Sequence, residues 1–155
     1  MITSSQLNQR LGEPISKICE NGYADPDDNH CAHYVSHILG FRFGTTCRTM
    51  HDGSAPGANI RVQELFAHCP QVGKWADRPA AALQCLVFVT KASHVHIPQK
   101  LMDNVPQKHV GIYLGGTIWH YSNSTSKVVS VTPERFKHHY PGEGIELFYG
   151  TMPLG

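Results

Sequence analysis

The first half of the chain carries its apolar residues at helical intervals. Leu7, Leu11, Ile15 and Ile18 recur at near-helical spacing and predict a first helix over residues 5 to 20, interrupted at Gly12-Glu13-Pro14. Cys31, Val35, Ile38 and Leu39 share one face of a second helix, residues 31 to 39, which Gly40 ends. A turn-rich stretch runs through His51-Asp52-Gly53-Ser54-Ala55-Pro56-Gly57. Asn59 then caps a third predicted helix, Ile60 to His68, with Ile60, Leu65, Phe66 and Cys69 facing inward.

After Pro79 the period shortens. Leu83–Val89 is apolar enough for a strand inside a sheet, and Ala92–Pro106 is expected as a loop with some extended structure. Strands follow at His109–Leu114, Thr117–Ser122, Lys127–Val131 and Ile145–Tyr149, with a capped short helix or turn at Thr132–Phe136. Helices first and antiparallel strands second is an α+β order. No repeat, low-complexity tract or linker divides residues 1 to 155, so one domain is expected.

Composition narrows the function classes. Charged residues make up 16% of the chain and the net charge is +1, so nothing favours nucleic acid or an anionic membrane as a partner. Eleven histidines supply much of the polarity. The N-terminus, Met1-Ile2-Thr3-Ser4-Ser5-Gln6, lacks a basic segment followed by an apolar run, and no stretch approaches the roughly 20 residues of a membrane span. The expectation is a chain that is cytoplasmic as synthesised, with export by a non-Sec route as the alternative. The five cysteines (Cys19, Cys31, Cys47, Cys69, Cys85) contain no C-x-x-C pair, and all but Cys31 are expected to fill apolar space in reduced form.

Cys31 stands apart because it opens the second predicted helix, directly after the turn-forming Asp25-Pro26-Asp27-Asp28-Asn29. Unpaired N–H groups and the helix dipole stabilise a thiolate there, so its pKa is expected below the roughly 8.5 of a free cysteine. Downstream, a two-residue Gly115-Gly116 turn would set Leu114 opposite Thr117, Gly111 opposite His120 and His109 opposite Ser122. Alternation then puts His109, Gly111, Tyr113, Ile118, His120 and Ser122 on one face, with the two histidines as diagonal neighbours and open space at Gly111. A three-residue loop would instead bring Tyr121 and Asn123 to that face. A helix-borne thiol facing strand-borne histidines is the arrangement of a nucleophile with its base and orienting group.

The motifs also resemble a family. Cys31-Ala32-x-Tyr34-Val35-Ser36 is similar to the nucleophile helix of the NlpC-type cell-wall cysteine peptidases and related amidases, within the papain-like superfamily. Leu86-Val87-Phe88 resembles the strand before the base, and His109-Val110-Gly111-Ile112-Tyr113-Leu114-Gly115 resembles the base-bearing strand. Ile118-Trp119-His120-Tyr121-Ser122 resembles the strand carrying the third, polar residue. Order and spacing agree over roughly residues 23 to 150. The resemblance implies a papain-like fold, with N-terminal helices packed on a C-terminal antiparallel sheet. It implies Cys31 as nucleophile, His109 as general base, His120 as orienting group and Tyr23 as an oxyanion donor beside the Cys31 N–H. It implies no cofactor, and a peptide or peptidoglycan fragment as substrate. The chain departs from the family in lacking its Tyr-x-Trp-Gly-Gly stretch and in having His30 where the residue before the nucleophile is usually Asp.

Other readings stay open. The superfamily includes acyltransferases and protein-directed enzymes, and a binding module on an inactive hydrolase fold is a third class. His30, His33 and His37 at i, i+3 and i+7, with His94-Val95-His96, admit a metal-binding protein, although no His-Glu-x-x-His motif is present. His138-His139 are expected at the surface, and Asn123-Ser124-Thr125 as a turn without a catalytic role.

Overall fold

Two glycines set the register of the central hairpin. Gly115 and Gly116 have φ of 58° and 91°, the doubly left-handed backbone that a two-residue hairpin turn requires. In the computed structural model, which describes residues 1–154, this turn joins β5 (Lys108–Leu114) to β6 (Thr117–Ser122). The pairs are Leu114 with Thr117, Tyr113 with Ile118 and Ile112 with Trp119, in the two-residue register.

The hairpin belongs to a six-stranded antiparallel sheet. Its other strands are β1 (Val72–Lys74), β2 (Gln84–Lys91), β7 (Lys127–Val131) and β8 (Ile145–Gly150), in the order β1-β8-β2-β5-β6-β7. A separate pair, β3 (Val95–His96) and β4 (Leu101–Met102), occupies the segment expected as partly extended loop. The helices are α1 (Ser4–Asn8), α2 (Cys31–Leu39), α3 (Cys47–Met50), α4 (Val62–His68) and α5 (Pro133–Lys137). The fold is α+β.

β2 lies between β8 and β5 and is buried on both faces, hence its unbroken run Cys85-Leu86-Val87-Phe88-Val89. Leu86, Phe88, Val110, Ile112, Trp119 and Tyr121 form one core with Tyr34 and Val35 of α2 and Leu65 and Phe66 of α4. Val87, Val89, Ile118 and Leu147 form the opposite core, under Phe136 of α5. By alternation, His109 and His120 belong to the α5 face.

Two predicted elements change. The first helix is split: Thr3 and Gln6 form a capping box at the start of α1, which ends at Asn8, and only one 3-10 turn, Ile15–Lys17, remains beyond Pro14. Gly12 there has φ of 83°, outside the helical region, and Leu11 is exposed. Asn59 does accept from the Arg61 N–H at 2.9 Å, but α4 starts only at Val62 because the Asn59–Ile60 backbone is extended, bridged to Thr46 and bonded to Phe41 O and Thr45 O. The edge strand β1 and the single turn α3 carry too short a pattern to read from sequence. No helix among the described residues is long and apolar enough to cross a membrane.

Candidate active site

The start of α2 is fixed by two asparagines far apart in sequence. Asn29 Oδ1 accepts from the Cys31 N–H at 3.0 Å, and Asn123 Oδ1 accepts from the His30 N–H at 3.0 Å. Asn123 Nδ2 also donates to Asn29 Oδ1 at 2.8 Å. The pair satisfies N–H groups that a helix start leaves open and ties α2 to the end of β6. Asn123 is thus more than a turn residue, and the Cys31 N–H, expected to meet an oxyanion, is engaged by Asn29 in this structure.

Past Ile112 and Trp119 the regular β5–β6 ladder ends, while β5 stays paired to β2 as far as Lys108. The expected pairs Gly111–His120 and His109–Ser122 are therefore not ladder pairs. Gly111 does not open space either: a Cβ there would meet Ile118 Cγ2 at 2.7 Å and Trp119 O at 3.0 Å. The glycine serves close approach of β6.

Where the ladder ends, Cys31 lies near β5, and the backbone N–H of Val110 acts to lower the pKa of its thiol. Val110 is the residue after His109. The thiol is buried, and burial pushes its pKa up to about 11 against the lowering effects of the Val110 and Ala32 N–H groups and Lys108. The expected thiolate at the helix start is thereby corrected: the favourable N–H groups are present, but desolvation outweighs them.

His109 and His120 are both buried, with Nε2 of His109 2.9 Å from Nδ1 of His120. Nδ1 of His109 is buried and has no hydrogen-bond partner. His139, expected at the surface, stacks on His109 at 3.9 Å between ring centres and 9° between planes, and Phe136 of α5 packs against both buried rings. Burial, then His120 and His139, hold His109 well below the ordinary histidine value. Burial and then His139 lower His120 to about 4, with the Tyr121 backbone acting the other way. Both rings are neutral at pH 7. Tyr140, next to His139, is in ring contact with it.

Tyr23 and Cys31 line one small cleft of about 90 Å³ with Asp28, Arg61, Gln63 and Lys108. The Tyr23 hydroxyl donates to Asp28 Oδ2 at 2.7 Å. Burial and then Asp28 push its pKa up. Its proton must leave Asp28 before it can serve an oxyanion. Gln63 Oε1 is buried without a partner.

Two groups of side chains converge closely enough to hold a cation: His109, His120 and His139, and separately Cys19, His33, His37 and Cys47. The first is poorly aimed, because the parallel stack of His109 and His139 sends their in-plane lone pairs along separate planes. His94 and His96 both face Asp103, at 3.4 and 3.0 Å.

Comparison of the chain with family models, with curated proteins and with solved structures finds no match. The chemistry therefore rests on the residues themselves.

Proposed function

We propose that this chain is a cysteine hydrolase of NlpC-like, papain-type design, cleaving an amide bond with Cys31 as nucleophile, His109 as base and His120 as the group that orients it. The observation that carries the reading is the partnerless, buried Nδ1 of His109, one residue from Val110, whose N–H acts on the Cys31 thiol. A buried ring nitrogen without a partner costs stability, and a catalytic role is one reason a fold keeps such a group.

The mechanism follows from a neutral resting pair. With the shared proton on His109 Nε2 and donated to His120 Nδ1, His109 Nδ1 keeps a lone pair. It takes the thiol proton as the sulfur attacks the carbonyl carbon, so the C–S bond forms without a preformed thiolate. Arg61, Gln63 and Lys108 supply donors toward the cleft for the developing oxyanion, joined by Tyr23 when it turns from Asp28. His109 then protonates the leaving nitrogen as the C–N bond breaks. Water attacks the thioacyl carbon, gives a proton to His109, and the C–S bond breaks to restore the thiol. His120 holds the tautomer throughout, as the acid does in a serine triad.

Peptidoglycan stem peptides are the substrate class we favour. The motif resemblance supports it, and so do Arg61 and Lys108 beside the thiol, since stem peptides carry free carboxylates. Purified peptidoglycan fragments incubated with the chain should release new amino groups, and Cys31→Ala should not release them. Intact fragments alongside turnover of a protein or ester substrate would remove the cell-wall assignment and leave the hydrolase.

A further inference from the structure

A second cluster lies inside the helical half, apart from the proposed triad. Cys19 Sγ, a ring nitrogen of His33, a ring nitrogen of His37 and Cys47 Sγ all lie within 4.8 Å of one another. His33 and His37 project from one face of α2 at i and i+4, Cys47 opens α3, and Cys19 precedes the loop that leads to Tyr23. We propose that Cys19, His33, His37 and Cys47 form a tetrahedral structural site for a zinc-class divalent cation.

The tautomers point to a ligand. His30 Nε2 lies 2.7 Å from the Asp25 carbonyl oxygen, which can only accept, so Nε2 carries the proton and Nδ1 of a neutral His30 is an acceptor. His33 Nδ1, 3.0 Å from His30 Nδ1, is then the donor. That leaves a lone pair on His33 Nε2, which is buried with no hydrogen-bond partner. A histidine that gives its other N–H to a partner chain ending on a carbonyl is arranged as metal ligands are. The remaining distance fits: Cys47 Sγ lies 3.8 Å from His37 Nε2, where tetrahedral zinc would set sulfur and nitrogen roughly 3.5 Å apart.

Both sulfurs meet N–H donors, which would steady metal-bound thiolates. Cys47 Sγ accepts from the Ala58 N–H at 3.3 Å and from Asn21 Nδ2 at 3.5 Å, and the N–H groups of Asn21 and Tyr23 face Cys19 Sγ. Two thiolates and two neutral imidazoles balance a divalent charge, which lets the centre sit in a buried place. Binding replaces the two thiol protons, which leave to solvent. His37 is only half-buried and lines a surface cleft with Arg10, Glu20, Ser36, Arg42 and Pro56, which gives the ion a way in. Four protein ligands leave no open position, so the centre is structural. It would pin the Cys19–His30 loop and α3 to α2 within a turn of Cys31.

The full chain, purified without an affinity tag and under reducing conditions, tests this by metal analysis and cobalt titration. We expect one metal per chain. After chelation and Co²⁺ addition we expect a tetrahedral visible spectrum with thiolate charge transfer, displaced by Zn²⁺, kept in Cys31→Ala and Cys85→Ser and lost in Cys19→Ala/Cys47→Ala. Should the double variant fail to fold, wild-type alkylation decides: Zn²⁺ must protect Cys19 and Cys47, and chelation must expose them. Absence of a thiolate–cobalt band, a band retained in the folded double variant, protection that ignores chelation, or a Cys19–Cys47 disulfide in the fresh protein overturns the proposal.

Discussion

His109 Nε2 sits 2.9 Å from His120 Nδ1, and the other nitrogen of His109 is buried with nothing to bond. The bonded nitrogen is oriented by His120, and the free one is the proposed acceptor of the Cys31 proton. If His109 moves the proton, His109→Ala lowers kcat by about 10²–10⁴-fold, the usual worth of a general base. His120→Ala keeps more activity, and His120→Asn more again, since an amide oxygen still accepts from His109 Nε2–H. Steady-state kinetics decide it. A fully active His109→Ala beside an inactive His120→Ala would exchange the two roles.

The hairpin and α2 were legible because each rests on local chemistry. A Gly-Gly turn between alternating strands fixes the register, and Gly40, with φ of 78°, ends α2 where the apolar stripe stops. What could not be read depends on distant pieces of chain. Asn29 and Asn123 meet across 94 positions to cap α2, and His139 reaches His109 only because α5 folds back over the sheet. The Cys31 pKa moved opposite to the sequence expectation because burial is a tertiary property. Cys19 and Cys47 read as filler, since no short spacing announces that they meet His33 and His37 from separate segments.

His109 must be neutral to accept a proton, and its pKa lies well below the ordinary histidine value. The acid limb of kcat/KM therefore falls below the usual histidine pKa of about 6.5, and activity persists at mildly acidic pH. Removing the stacked ring in His139→Ala takes away part of the burial and the repulsion between the two rings when both are protonated. Both effects had lowered the His109 pKa, so the limb moves up toward 6.5. A wild-type limb at or above 6.5, or a His139→Ala limb moving down, would contradict the assignment.

Gly111 tests the packing beneath the pair. An added methyl would lie 2.7 Å from Ile118 Cγ2 and 3.0 Å from the Trp119 carbonyl, so β6 must shift. Gly111→Ala should cost about 1–3 kcal/mol, as overpacking does. Urea unfolding measures this, and an unchanged midpoint would show that the hairpin accommodates the methyl.

The central claim is that Cys31 is a nucleophile activated by His109, and acylation by a small activated ester tests it without knowledge of the natural substrate. The chain is mixed with p-nitrophenyl acetate near pH 7, quenched in acid, and the acetyl group located by peptide mass spectrometry. Acetylation is predicted at Cys31 with a matching burst of nitrophenol, slowed in His109→Ala and abolished in Cys31→Ala. Equal acetylation of the other four cysteines, or a burst that survives Cys31→Ala, would contradict the account.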